Sequence, residues 1–131
     1  MRVLVVDDSS TMRKFLRKIL VEADFEVLEA QNGRHALEML QQHHGIGLSL
    51  IDWNMPEMDG MELLSRIRAD HAFDPMRIMM VTTEMEQRGV VHALEQGANE
   101  YVMKPFTRET IREKLLLLGF PVHEANAQIA P

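Results

Sequence analysis

Arg2-Val3-Leu4-Val5-Val6-Asp7-Asp8 opens the chain, and Leu48-Ser49-Leu50-Ile51-Asp52 repeats its plan: an apolar run that stops on a carboxylate. A short β-branched run of this kind fits a strand buried on both faces. If the two runs are neighbouring parallel strands, three carboxylates meet at one edge of a sheet. Like charges at that spacing repel. The cluster makes sense if a hard divalent cation holds it together and one carboxylate has chemistry to do.

The intervening sequence supports that arrangement. Ser10 or Thr11 is placed to cap a first helix, in which Met12, Phe15, Leu16, Ile19 and Leu20 recur at helical spacing. Arg13, Lys14, Arg17 and Lys18 occupy the other side. Glu26 to Ala30 reads as a second strand, Asn32-Gly33 as a turn, and Ala36 to Leu40 as part of a helix ending near His43. Gly47 to Ile51 is the third strand. A loop from Asp52 to Asp59 follows, and Asp59 caps a helix carrying Leu63, Leu64 and Ile67. Arg77 to Val81 is the fourth strand; Val90, Val91 and Leu94 mark a helix that stops at Gly97. Glu100 to Met103 is the fifth strand, and Ile111, Leu115 and Leu118 line the last helix before Gly119 and Pro121.

Five strands alternating with five helices predict an α/β fold built of βαβ units with a parallel sheet and right-handed crossovers. Sites in such sheets lie at the carboxyl ends of the strands. That brings Asp7, Asp8, Asp52, Thr82 and Lys104 together, each expected directly after its strand. Taken singly, each has an ordinary role: Asp-Asp as cap or turn, Thr82 as a solvated strand end, Lys104 as a surface lysine. Their coincidence at matching strand ends favours a site.

The chain has 131 residues, enough for one domain. Its net charge of −6 argues against unaided binding to nucleic acid. It contains no cysteine, which excludes disulfides and thiolate chemistry. No apolar stretch approaches the roughly 20 residues of a membrane span, and the expectation is a soluble, cytoplasmic protein. Six histidines are scattered without ligand spacing, and eleven methionines read mainly as core fillers.

Val5-Val6-Asp7-Asp8-Ser9-Ser10, Ile51-Asp52-Trp53-Asn54-Met55-Pro56-Glu57-Met58-Asp59-Gly60, Val81-Thr82-Thr83-Glu84 and Tyr101-Val102-Met103-Lys104-Pro105-Phe106-Thr107 resemble the receiver domains of two-component response regulators. The resemblance runs from about Arg2 to Phe120 and implies a receiver domain over 1–120, with a flexible tail over 121–131. Trp53-Asn54 and Lys104-Pro105-Phe106-Thr107 are most similar to the chemotaxis members of the family. The resemblance implies a flavodoxin-like, doubly wound, five-stranded parallel sheet of order 2-1-3-4-5. It also implies that Asp52 is the phosphoacceptor. Mg²⁺ would be held by Asp8, Asp52 and the Asn54 backbone carbonyl, with Asp7 acting through a water. Lys104 would pair with phosphoryl charge and the Thr82 hydroxyl would hydrogen-bond a phosphoryl oxygen. Tyr101 would act with Thr82 as the switch pair, and the Lys104–Pro105 bond would be cis. Thr83 departs from the small residue usual at its position. Asn54 and Glu84 go with fast loss of phosphate.

The implied function is a phosphorylatable switch, not a conventional enzyme. It would be charged by a chemotaxis-type sensor histidine kinase that docks on the basic face of the first helix. Its output would be a target such as the flagellar motor switch, bound by the face of the helix over Met85 to Gln96, the strand at Tyr101 and the last helix. A phosphatase is a possible further partner. Alternatives are a phosphate sink, a relay intermediate or a receiver cut from a longer regulator. A Mg²⁺-dependent aspartyl phosphatase would want a second carboxylate where Asn54 stands. A flavin module would want a Ser/Thr/Gly loop where Asp7-Asp8 stand.

Overall fold

The computed structural model describes residues 1–83 and 89–122. Glu84, the start of the helix expected from Met85 and nearly all of the tail lie outside the described residues. The elements are β1 (Arg2–Val6), α1 (Ser10–Glu22), β2 (Glu26–Ala30), α2 (Gly33–Gln42), β3 (Ile46–Asp52), α3 (Gly60–Arg68), a 3₁₀ turn (His71–Phe73), β4 (Arg77–Thr83), α4 (Val90–Glu95), β5 (Glu100–Lys104) and α5 (Arg108–Leu117). The five strands form one sheet, order β2-β1-β3-β4-β5, all pairs parallel. This is the doubly wound order expected.

Alternation along the strands divides the core in two. Val3, Val5, Leu48 and Leu50 face Leu16, Ile19 and Leu20 of α1 and Ile111 and Leu115 of α5. Leu4, Val6, Ile51 and Ile78 face Leu40 of α2, Leu63, Leu64 and Ile67 of α3 and Ala93 of α4. Both faces are therefore covered, which is why the inner strands read as unbroken apolar runs.

The helix starts follow from short polar side chains. Ser9 caps α1, accepting the Met12 N–H at 3.2 Å; the cap is neither Ser10 nor Thr11. The shift has a local cause: the Asp7 carboxylate takes the Ser9 N–H at 2.8 Å and turns the chain there. Asn32, expected only as a turn residue, caps α2 by accepting the His35 N–H. Asp59 caps α3 through the Glu62 N–H, and Thr107 caps α5 through the Thr110 N–H.

Two expectations about helix surfaces are corrected. Arg13 and Arg17 do not form a free basic face, because both pair with Glu29 of β2, at 3.1 and 2.6 Å. Burial works to raise the Glu29 carboxyl, yet the two guanidiniums hold it below the usual range. Arg17 also donates to the Val27 carbonyl of this edge strand. Lys14 and Lys18 remain exposed. Phe15 is also exposed, its ring centroid 5.8 Å from that of Phe106.

The joint between α3, the 3₁₀ turn and the α4–β5 turn is held by Arg68. Its guanidinium donates to the carbonyls of Gly97, Phe73 and Met76 and to the Asn99 side chain, at 2.6 to 3.1 Å. Asn99 Oδ1 accepts in addition the Ile78 N–H that opens β4.

Candidate functional site

β1 and β3 are adjacent, with Val6 opposite Ile51, so the residues that follow them converge. Asp7 is 2 % exposed and Asp52 5 %, while Asp8 points to solvent. Each of the three offers a carboxylate oxygen, and these oxygens lie within 4.8 Å of one another. Among the described residues this is the one grouping of three or more acids, histidines or cysteines that could hold a metal.

β3 and β4 run further than the sequence predicts. Asp52 pairs with Val81, and Thr82 and Thr83 with Met103 and Lys104. Asp52, Thr82 and Lys104 are therefore strand residues rather than the residues after strands, because ladder pairing continues through them. The consequence is rigid placement. β5 lies two strands from β3, about 10 Å at the usual strand spacing, and the Lys104 side chain crosses that width. Its Nζ donates to Asp52 Oδ1 at 3.1 Å and stands 3.6 Å from Asp7 Oδ2. The Lys104–Pro105 bond is cis.

The electrostatics follow from burial. Desolvation, and then the charge of Asp7, push the Asp52 carboxyl up to about 6; Lys104 works against both. Burial likewise raises Asp7, opposed by the Ser9 amide and Lys104. Lys104 is raised despite burial, because Asp52 and Asp7 favour its charged form. One ammonium therefore faces three carboxylates, and the site carries excess negative charge.

That excess fits a small hard cation. Asp7 Oδ2 is buried and accepts no hydrogen bond. A buried carboxylate oxygen left without a donor is costly, and an oxygen-preferring ion such as Mg²⁺ would satisfy it. Asp8 and Asp52 would offer such an ion side-chain oxygens and Asp7 would meet it through a bound water; Asn54 lies exposed in the loop just beyond Asp52.

The remaining predicted residues surround this centre. Thr82 is fully buried, and its hydroxyl donates to the Thr83 carbonyl at 3.3 Å. Thr83 is half-buried beside Lys104 in the β4–β5 register. The half-buried Tyr101 lies on edge strand β5 beneath the Lys114 ammonium, 4.4 Å from its ring centroid.

Sequence reasoning missed two supports of the site. The Gly60 N–H bonds the Trp53 carbonyl at 2.8 Å, and a Cβ at 60 would come within 2.6 Å of the Asp52 carbonyl oxygen. A Cβ at Gly89 would come within 2.5 Å of the Trp53 ring, so the indole fills that space at the start of α4. Asp59-Gly60 was legible as a cap followed by a glycine. Nothing in the sequence points Gly89 to Trp53.

The comparisons with known proteins agree with this geometry. The family model "response regulator receiver domain" matches residues 3–116. The chain is 44 % identical over 116 residues to a "Chemotaxis protein CheY homolog" of Campylobacter jejuni, covering 88 % of this chain and 89 % of that protein. It is 45 % identical over 121 residues to "Chemotaxis protein CheY1" of Helicobacter pylori, covering 91 % and 98 %. The solved structure of chemotaxis protein CheY4 of Vibrio cholerae superposes with a TM-score of 0.82 at 33 % identity, covering 88 % of this chain and 96 % of that one. A probable two-component response regulator/GGDEF domain protein superposes with a TM-score of 0.84 at 33 % identity; 89 % of this chain is covered, which spans about half (48 %) of that protein.

Proposed function

The chain belongs to the response regulator receiver domain family, and from that premise we propose that it is a phosphorylatable switch of a two-component system, accepting a phosphoryl group on Asp52 from a histidine kinase. The observation that carries the proposal is the Asp52 carboxylate at the end of β3, bonded to Lys104 at 3.1 Å and clustered with Asp7 and Asp8.

An Asp52 oxygen attacks the phosphorus of a phosphohistidine. The O–P bond forms as the P–N bond breaks, and the electron pair leaves with the imidazole nitrogen. A carboxyl pushed up to about 6 is more basic than an ordinary aspartate and still mostly ionised at pH 7. Asp8, Asp52 and the Asn54 carbonyl would hold Mg²⁺, with Asp7 reaching it through a water. Bound Mg²⁺ neutralises phosphoryl charge that otherwise repels the carboxylate. Lys104 moves its hydrogen bond from Asp52 to a phosphoryl oxygen, and the Thr82 hydroxyl turns toward another. The space Thr82 vacates takes the Tyr101 ring, which changes the shape of the α4–β5–α5 face.

Relatives named as chemotaxis proteins support a chemotaxis role, and the proposal extends to a chemotaxis-type kinase as donor, the flagellar motor switch as target and the cytoplasm as the place of action. The receiver unit is assigned to residues 1–120, with 121–131 as a tail. The chain acts on its own Asp52 rather than as an enzyme on other substrates, and a separate phosphatase is a further partner.

Intact-mass spectrometry after incubation with phosphoramidate and Mg²⁺ tests the phosphoacceptor. One labile phosphoryl adduct is expected, absent from Asp52→Asn; an undiminished adduct on that variant overturns the assignment. Affinity for a motor-switch N-terminal peptide, with and without beryllofluoride, tests the target. Equal affinity in both conditions would favour the sink or relay role.

A further inference from the structure

Glu100 and Lys114 surround the Tyr101 ring in a way that phosphoacceptor chemistry does not require. Lys114 Nζ, on α5, is 3.0 Å from Glu100 Oε1 and 4.4 Å from the Tyr101 ring centroid. The same Glu100 oxygen accepts the backbone N–H of Tyr101 at 3.0 Å. The two charged side chains are only 18 % and 21 % exposed, so their pairing is largely shielded from water. Glu100 thus ties the ammonium to the strand that carries the ring, and the cation's place over the ring face is fixed rather than left to free rotation of a lysine.

We propose that Glu100 and Lys114 form a clamp that holds the Tyr101 ring in the position seen here, and that both are positioning residues for the switch. The inference rests on the reading of Tyr101 as the moving ring. A cation over an aromatic face is attracted by the ring quadrupole, more strongly when it is desolvated. The ring's departure from beneath Lys114 forfeits that attraction, while the Lys114–Glu100 pair holds the cation where it is. Phosphorylation can shift the ring only by the difference in free energy it makes between the two positions. The clamp enlarges the difference required and so sets the threshold of the response. It couples α5 to β5 through side chains that touch neither the phosphoacceptor nor the acid cluster.

Tyr101 is the only tyrosine of the chain, so incorporated 3-fluorotyrosine gives one ¹⁹F resonance to follow. In the full chain without metal or phosphoryl mimic, Lys114→Gln and Glu100→Gln should each displace that resonance. Lys114→Arg, which keeps a cation able to lie over the ring, should leave it near its place. On titration with beryllofluoride at fixed Mg²⁺, both glutamine variants should respond at concentrations about 2- to 5-fold lower than the parent. The two variants change net charge in opposite senses, so a general electrostatic effect would move their midpoints in opposite directions. A shared shift is the signature of the clamp. Unchanged resonances in both glutamine variants, or midpoints moving in opposite directions, would overturn it. If the parent resonance ignores beryllofluoride while the metal-free variants still differ from it, the clamp stands and Tyr101 is not the switch.

Discussion

Lys104 donates a 3.1 Å hydrogen bond to Asp52 across the full width of β4. With a second carboxylate, Asp7, at 3.6 Å, this ammonium occupies the space in which a metal would also be attracted. Lys104→Met should therefore bind Mg²⁺ more tightly than the parent. The expected gain is roughly tenfold, equivalent to about 1.4 kcal/mol of relieved repulsion. Titration calorimetry at pH 8 measures it, and weaker binding by the variant would contradict the geometry.

The pH dependence of stability has a definite sign. Asp52 sits at about 6 in the folded chain, raised by burial first and Asp7 second, against 3.8 for a solvated aspartate. The folded state thus holds this proton more tightly than the unfolded one. Keeping Asp52 ionised at neutral pH costs on the order of 3 kcal/mol. The metal-free chain should gain stability as the pH falls from 7 through 6 towards 5, and Asp7, also raised, contributes in the same sense; below that the lowered Glu29 carboxyl works in the opposite sense. Asp52→Asn should start more stable at pH 7 and show a smaller rise. Urea unfolding in EDTA at pH 7 and pH 5 reads both effects, and saturating Mg²⁺ should narrow the gap between the two proteins.

Much of this site was legible because its residues sit at strand ends, where an apolar run meets a lone polar group. Asp7, Asp8, Asp52, Thr82 and Lys104 each break such a run. The strand order was legible only through resemblance, since periodicity does not say which strands pair. The positions of Arg13 and Arg17 on their helix were visible, but their partner Glu29 lies on another strand, and helical spacing carries no information about it. Arg68 was silent for a related reason: it binds mainly backbone carbonyls, which every residue has. Ser9 displaced the expected cap because a local hydrogen bond, from its N–H to the Asp7 carboxylate two residues earlier, fixes where the chain turns.

Arg68 should be among the most sensitive positions away from the acid cluster. Arg68→Met removes donors from the carbonyls of Gly97, Phe73 and Met76 at once. A loss of about 3 kcal/mol is expected. Arg68→Lys should recover only part of it, because an ammonium lacks the planar fork that reaches several acceptors. Chemical denaturation of the three proteins at one pH decides the point; a fully stable lysine variant would refute the fork argument.

Glu57 lies in the loop between β3 and α3 with φ of +68° and an exposed side chain. The left-handed region costs most side chains about 1 to 2 kcal/mol, and asparagine tolerates it better. Glu57→Asn should stabilise the fold by up to about 1 kcal/mol. Its Mg²⁺ affinity should stay close to that of the parent. A lower unfolding midpoint in the variant would show that the glutamate makes a compensating contact.

The raised Asp52 carboxyl has an evolutionary consequence. The residue that gives this chain its proposed signal is also one whose ionisation weakens the fold, so drift toward asparagine would be rewarded by any selection for stability alone. Retention of the acid requires continuing selection for signalling. A lineage that abandoned the pathway would be expected to lose Asp52 early and to become more robust to heat as it did so.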